Sequence, residues 1–159
     1  MRGLEELVVI IMGSPADKEY AQEIKKVLDE FGVKSVFRVG SAHKTPQHVL
    51  SLIGEYDRQR NKRIVYIAVA GRSNALGGVI DTHTTSPVIS APPYSEKYAG
   101  LDIFSSLRMP SGIAVAVASE PEIAALAAIK IFALSSPKLC IKLKNYQREH
   151  QTRIMEADK

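Results

Sequence analysis

The sequence predicts a three-layer α/β sandwich on a doubly wound parallel sheet of strand order 2-1-3-4-5, with a long C-terminal helix. Three observations carry this prediction. Leu7–Met12 and Ile64–Val69 are continuous apolar runs of strand length, the signature of central parallel strands covered on both faces. Strand and helix patterns alternate through short connections, as right-handed crossovers require. Both apolar runs end in glycine and small polar residues, and in such sheets ligands bind beyond the carboxyl ends of the strands.

The first strand, Leu7–Met12, is broken by Gly13-Ser14-Pro15-Ala16-Asp17. A helix follows with Ala21, Ile24, Leu28 and Phe31 on one stripe, and Gly32 is its expected stop. Val33–Val39 alternates roughly, as suits a strand nearer the sheet edge, and empties into Gly40-Ser41-Ala42-His43-Lys44. Thr45 as N-cap and Pro46 at the first position open a helix that runs to about Arg58. The third strand leads into Ala70-Gly71-Arg72-Ser73-Asn74, and a short helix covers Ala75 to about Asp81.

Pro87–Ala91 is a short fourth strand ended by Pro92-Pro93. Ser95–Ser111 reads as irregular, with a helical turn at Ile103–Leu107, and Ile113–Ala118 as the fifth strand. The Ala-rich helix Pro121–Leu134 is apolar almost all round, so burial is expected, between subunits included. A last helix from Pro137 to about Glu156 carries Leu139, Ile141, Leu143, Tyr146 and Ile154 as its apolar set.

The 159 residues suffice for one domain, 1–159, with its core over about 7–134. An apolar share of 45% with 24% charged residues indicates neither disorder nor membrane insertion. No apolar run could span a bilayer and no charged-then-apolar leader precedes Leu7, so an unexported, cytoplasmic protein is expected. The lone Cys140 excludes an internal disulfide or a cysteine-cluster metal site, and it reads as packing. The net charge of +4 resides largely in Lys138–Arg153 and Arg58–Arg63, which read as solvated helix faces. With no nucleic-acid motif and no Trp for base stacking, nucleic acid is not the expected partner.

In strand order 2-1-3-4-5, the loops Gly13–Asp17, Ser41–Lys44 and Gly71–Asn74 reach one crevice. Gly13 and Ser14 before a helix offer amides and a hydroxyl to an anion, and Lys44 adds a point charge. Asp17 suits a ribose diol or a helix cap. Ser41 and Ser73 supply hydroxyls, Gly71 allows close approach, Arg72 brings a fixed cation, and Asn74 an amide. His43 is the one group there that moves a proton near neutral pH without strong perturbation. No metal is expected, since His48 and His83 stand alone, His150 lies in the basic tail, and the carboxylates do not cluster. The glycine spacing fits neither a dinucleotide nor a nucleoside triphosphate, so no cofactor is expected.

Four stretches in order complete the picture: Met12-Gly13-Ser14-x-x-Asp17, Ser41-Ala42-His43-Lys44, Ala70-Gly71-Arg72-Ser73-Asn74 and Ser105-Ser106-Leu107-Arg108-Met109-Pro110-Ser111-Gly112. Together they resemble the phosphoribosylaminoimidazole carboxylases of purine biosynthesis, over about residues 7 to 134. The resemblance implies a flavodoxin-like subunit in a homo-octamer, or a tetramer, with sites completed by neighbouring chains. It implies aminoimidazole ribonucleotide as substrate, carboxylated on its ring without metal or organic cofactor. In the mutase branch, which acts on N5-carboxyaminoimidazole ribonucleotide, the second loop ends Ser-Ala-His-Arg and the third is small and apolar. Lys44 and Arg72-Ser73-Asn74 instead resemble the branch that takes carbon dioxide directly. With no room for a fused second enzyme, the sequence looks like the free-standing bacterial form.

Chemistry and resemblance together suggest the roles. His43 takes the ring proton; Gly13, Ser14, Asp17, Ser41, Lys44, Gly71 and Ser73 hold the substrate; Arg72 and Asn74 face carbon dioxide or the new carboxylate. The first loop departs from the family's Gly-Ser-x-Ser-Asp: Ala16 lacks a hydroxyl and Pro15 an N–H, so phosphate binding leans on Ser14, Ser41, Lys44 and backbone amides. The rival readings are the mutase and a non-catalytic module for a phosphorylated ligand.

Overall fold

The apolar runs fold as parallel strands because each buries side chains on both faces. A computed structural model describes residues 4–158. The expectation about a leader lies partly on residues 1–3, outside that range. Strands β1 (Glu5–Met12), β2 (Lys34–Val39), β3 (Lys62–Val69), β4 (Val88–Ser90) and β5 (Ala116–Val117) form one parallel sheet, ordered β2-β1-β3-β4-β5. Helices α1 (Lys18–Phe31), α2 (Pro46–Asp57), α3 (Ala75–Asp81), α4 (Phe104–Leu107), α5 (Pro121–Ala133) and α6 (Pro137–Ala157) connect and cover it.

Alternation along β1 divides the core. Val8, Ile10 and Met12 pack with Val65, Ile67 and Val69 under the stripes of α1, α5 and α6. Leu7, Val9 and Ile11 pack with Tyr66 and Ala68 under α2 and α3. The α1 stripe is buried as predicted at Ala21, Ile24, Leu28 and Phe31. Each of the three larger side chains contributes about 1.5–3 kcal/mol on burial. Gly32 stops the helix in the left-handed region, φ 75°, with its N–H on Asp29 O and Leu28 O. On the other face the Tyr66 hydroxyl donates to Asp57 Oδ1 at 2.8 Å. Burial and that carboxylate push its pKa above the ordinary phenol value.

Several boundaries differ from expectation, each for a visible reason. The fifth strand shrinks to two residues because the backbone before it bonds elsewhere. Ile113 N–H donates to Pro110 O and Ala114 N–H to Asp81 Oδ2 at 2.9 Å. Thr45 is the N-cap residue of α2 as expected, but its side chain makes no cap bond to the helix; its Oγ1 accepts from Ser41 N–H at 3.0 Å. In α6 only Leu139 and Leu143 are buried, with Tyr146 half-buried beside Phe31. Ile141 is 61% and Ile154 74% exposed: Ile141 lies about half a turn off the buried stripe, and every residue from Gln147 to Asp158 is exposed. Helix α5 buries Ala124, Ala125, Ala128, Ile129 and Phe132, while Ile123 faces outward.

Candidate active site

Strand register sets up the site. Met12 pairs with both Val39 and Val69, so β2, β1 and β3 end level and their loops leave side by side. Gly13 N–H donates to Val69 O at 2.8 Å and Gly40 N–H to Met12 O at 2.9 Å. A Cβ at Gly13 would lie 3.1 Å from Ala70 Cβ, so the close crossing of these two loops leaves little space for a side chain. A cavity of about 480 Å³ opens above, at the switch point where strand order reverses. Gly13, Ser14, Asp17, Ser41, His43, Lys44, Gly71, Arg72 and Ser73 line it together.

The first loop is closed on itself. Ser14 Oγ accepts from Ala16 N–H at 3.2 Å, and Asp17 Oδ2 accepts from Ser14 N–H at 3.0 Å. This reciprocal capping box opens a short 3-10 turn, Pro15–Asp17. The expected free amides are therefore corrected: those of Gly13, Ser14, Ala16 and Asp17 are all bonded internally. What remains for an anion is the Ser14 hydroxyl proton. Burial raises the Asp17 pKa above its ordinary value, against the lowering effect of the Ser14 N–H.

The second loop is a tight turn, with Thr45 N–H on Ser41 O at 2.9 Å and Lys44 N–H on Ser41 Oγ at 3.2 Å. It leaves the Ser41 hydroxyl proton free to donate and holds His43 and Lys44 exposed at the crest. His43 Nε2 lies 3.3 Å from Ser73 Oγ, which joins the second loop to the third.

In the third loop Arg72 adopts φ 58°, a left-handed conformation uncommon for a residue with a Cβ. Its N–H donates to Asp102 Oδ2 at 2.9 Å, and its carbonyl accepts from Ser105 Oγ at 2.7 Å. Asn74 does not line the cavity. It is 2% exposed, turned inward, and donates from Nδ2 to Ser106 Oγ at 2.6 Å. The expectation that its amide faces a carboxylate is corrected accordingly, because the side chain braces the loop from behind.

The sequence reading missed Pro93, Tyr94, Ser95 and Asp102, which form the cavity's fourth wall after β4. Tyr94 is 72% exposed, and its ring lies against Gly100, where φ is 73° and a Cβ would come within 2.8 Å of Cε2. The available signal was the Ser105–Gly112 stretch, whose Ser105 and Ser106 hydroxyls reach back to the third loop. Among the described residues no three His, Cys, Asp or Glu side chains gather as a metal site.

The fold and this crevice define a flavodoxin-like α/β protein that gathers an imidazole, hydroxyls and cations at its switch point. Comparison with known proteins narrows the class. Residues 7–153 match the family model described as AIR carboxylase. The phosphoribosylaminoimidazole carboxylase of Archaeoglobus fulgidus is 48% identical over 99% of this chain and 86% of its own length. That of Treponema denticola is 43% identical over 98% and 97% respectively. The crystal structure of Treponema denticola PurE superposes with a TM-score of 0.94 at 44% identity, covering 97% of each chain. The chain belongs to the AIR carboxylase family and is an enzyme of that family.

Proposed function

We propose that residues 1–159 act as one domain that carboxylates 5-aminoimidazole ribonucleotide directly with carbon dioxide, giving 4-carboxy-5-aminoimidazole ribonucleotide in purine biosynthesis. The observation that carries this reading is the 3.3 Å approach of Ser73 Oγ to His43 Nε2 across the cavity. It sets a titrating group beside the Arg72-Ser73-Asn74 loop, the feature that resembles the carbon dioxide-using branch.

The substrate's enamine-like C4 attacks carbon dioxide. The new C–C bond takes the ring π electrons while a C=O pair moves onto oxygen. With the Ser73 hydroxyl donating to Nε2, the imidazole proton sits on Nδ1 and Nε2 is basic. Nε2 then takes the C4 proton and aromaticity returns. Donors at Gly71 and Ser73 and the Arg72 guanidinium meet the charge that develops on the carboxylate oxygens. Ser14, Ser41 and Lys44 hold the phosphate through hydroxyl protons and the ammonium, and Asp17 accepts from the ribose through the oxygen that Ser14 leaves free. The chain works as a homo-oligomer, an octamer, in the cytoplasm.

His43→Asn tests the assignment. Loss of the base lowers kcat by about 100- to 10,000-fold with KM for aminoimidazole ribonucleotide within about threefold. Equal losses in kcat and in substrate affinity would remove His43 from the proton transfer.

A further inference from the structure

We propose that Asp102, Ser105 and Ser106 form a clasp that positions Ser73, and through it His43, for the reaction. The inference rests on His43 being the base. Three bonds reach the third loop from this one short segment. Asp102 Oδ2 holds Arg72 N–H at 2.9 Å, Ser105 Oγ holds Arg72 O at 2.7 Å, and Ser106 Oγ holds Asn74 Nδ2 at 2.6 Å. They bracket Ser73 from both sides.

Both peptide planes flanking Arg72 are pinned, one by its N–H and one by its carbonyl. This matters because Arg72 sits at φ 58°, where a side chain crowds its own backbone. Released, Arg72 would relax to negative φ, the peptide planes would turn, and the Ser73 hydroxyl would swing away from the imidazole. Asn74 closes the other side: it is buried, its Nδ2 is on Ser106, and its Oδ1 has no partner. The Ser105 hydroxyl lies 2.7 Å from Arg72 O and 2.8 Å from Asp102 O, so it ties the segment to the loop it holds. Asp102 is the one carboxyl among the three, and its Oδ2 takes the Arg72 N–H directly.

His43 is exposed, and among the described residues its one side-chain hydrogen bond is the contact with Ser73. The ring's orientation therefore depends on where Ser73 is placed. The Ser105–Gly112 stretch gains a role by this reasoning: its first two residues shape the reaction loop from outside the cavity. Asp102 itself borders the cavity, and its Oδ2 is taken up by the Arg72 N–H.

The test uses the full chain with Asp102→Ala, Asp102→Asn and Ser105→Ala. It reads kcat, KM, melting temperature and the imidazole ¹⁵N resonances of His43. Asp102→Asn keeps an acceptor for the Arg72 N–H, so it stays within about fivefold of wild-type kcat. Asp102→Ala loses the bond, and kcat falls about 10- to 100-fold with KM within about threefold. Ser105→Ala gives a smaller kcat loss of the same kind. In Asp102→Ala and Ser105→Ala the His43 Nε2 resonance moves, and in Asp102→Asn it stays. The clasp is refuted if Ala and Asn behave alike, if the His43 resonances stay put in Asp102→Ala, or if activity falls only in step with melting temperature. The resonances are read without turnover, so a wild-type protein that failed to carboxylate would overturn the reaction while the clasp was still tested.

Discussion

Helix α3 carries Ala75 and Leu76 into the cavity wall, and its seat on β4 depends on one missing methyl group. A Cβ at Gly77 would fall 2.1 Å from Ser90 Oγ, with Val115 Cγ1 at 3.3 Å and Ser90 Cβ at 3.5 Å. That is more than about 1 Å inside van der Waals contact. The Ser90 hydroxyl is fully buried and has no hydrogen-bond partner. Gly77→Ala must then turn that hydroxyl or push the helix off the sheet, an overpacking cost of about 1–3 kcal/mol. Against this the helix gains about 1 kcal/mol from alanine's propensity. The net expectation lies between no change and a loss of about 2 kcal/mol. Ser90→Ala removes an unpaired buried hydroxyl and is neutral or stabilising by up to about 1 kcal/mol. With the hydroxyl gone, the remaining atoms near the new methyl are a carbon at 3.3 Å and another at 3.5 Å, a fit that needs only a small adjustment. Gly77→Ala should therefore become neutral or stabilising in the Ser90→Ala background, a coupling of about 2 kcal/mol. Urea unfolding of the four proteins at one fixed concentration measures it, with equal m values as the condition for comparison. Additivity within about 0.5 kcal/mol would show that the two groups do not meet and would refute the packing argument.

Two further outcomes follow from the site. Asp17 has a raised pKa in the folded protein, so ionising it costs more there than in the unfolded chain. Wild type then loses stability relative to Asp17→Asn as pH rises from the unfolded carboxylate value through the folded one. The two should match near about pH 3, and the variant should be the more stable near about pH 6, in urea midpoints; the opposite trend would contradict the burial argument. Lys44→Met should raise KM for aminoimidazole ribonucleotide about tenfold with kcat little changed, since an exposed cation that grips a phosphate binds ground and transition states alike. Steady-state kinetics across salt concentrations would check it, and a kcat loss as large as the KM rise would give Lys44 a part in the chemistry.

Where the sequence was legible, one strong pattern decided the outcome. The runs in β1 and β3 are apolar at every position, the α1 stripe recurs at helical spacing, and Ala75–Asp81 is bounded as expected. Those elements fix the level strand ends, and so the meeting of Ser14, Ser41, His43, Lys44 and Ser73. What was not legible depends on side chains reaching across the fold. Nothing local says that Asp102 takes the amide of Arg72, thirty residues away, or that Asn74 turns inward to Ser106. Composition marks Gly13–Asp17 as an anion loop, but the capping box that uses up its amides is a matter of conformation. Ile154 sits on α6 beyond the last buried residue, where periodicity alone cannot tell that no partner surface remains among the described residues.

The most direct measurement offers the purified protein two substrates in parallel. One arm holds aminoimidazole ribonucleotide with carbon dioxide, and the other holds fresh N5-carboxyaminoimidazole ribonucleotide with carbon dioxide scavenged. Formation of 4-carboxy-5-aminoimidazole ribonucleotide in the first arm alone is the predicted result, and it would tie direct carboxylation to the Arg72-Ser73-Asn74 loop. Robust conversion in the second arm would make the enzyme a mutase and contradict that account, and turnover in neither would leave a cavity that binds a phosphorylated ligand without reacting it.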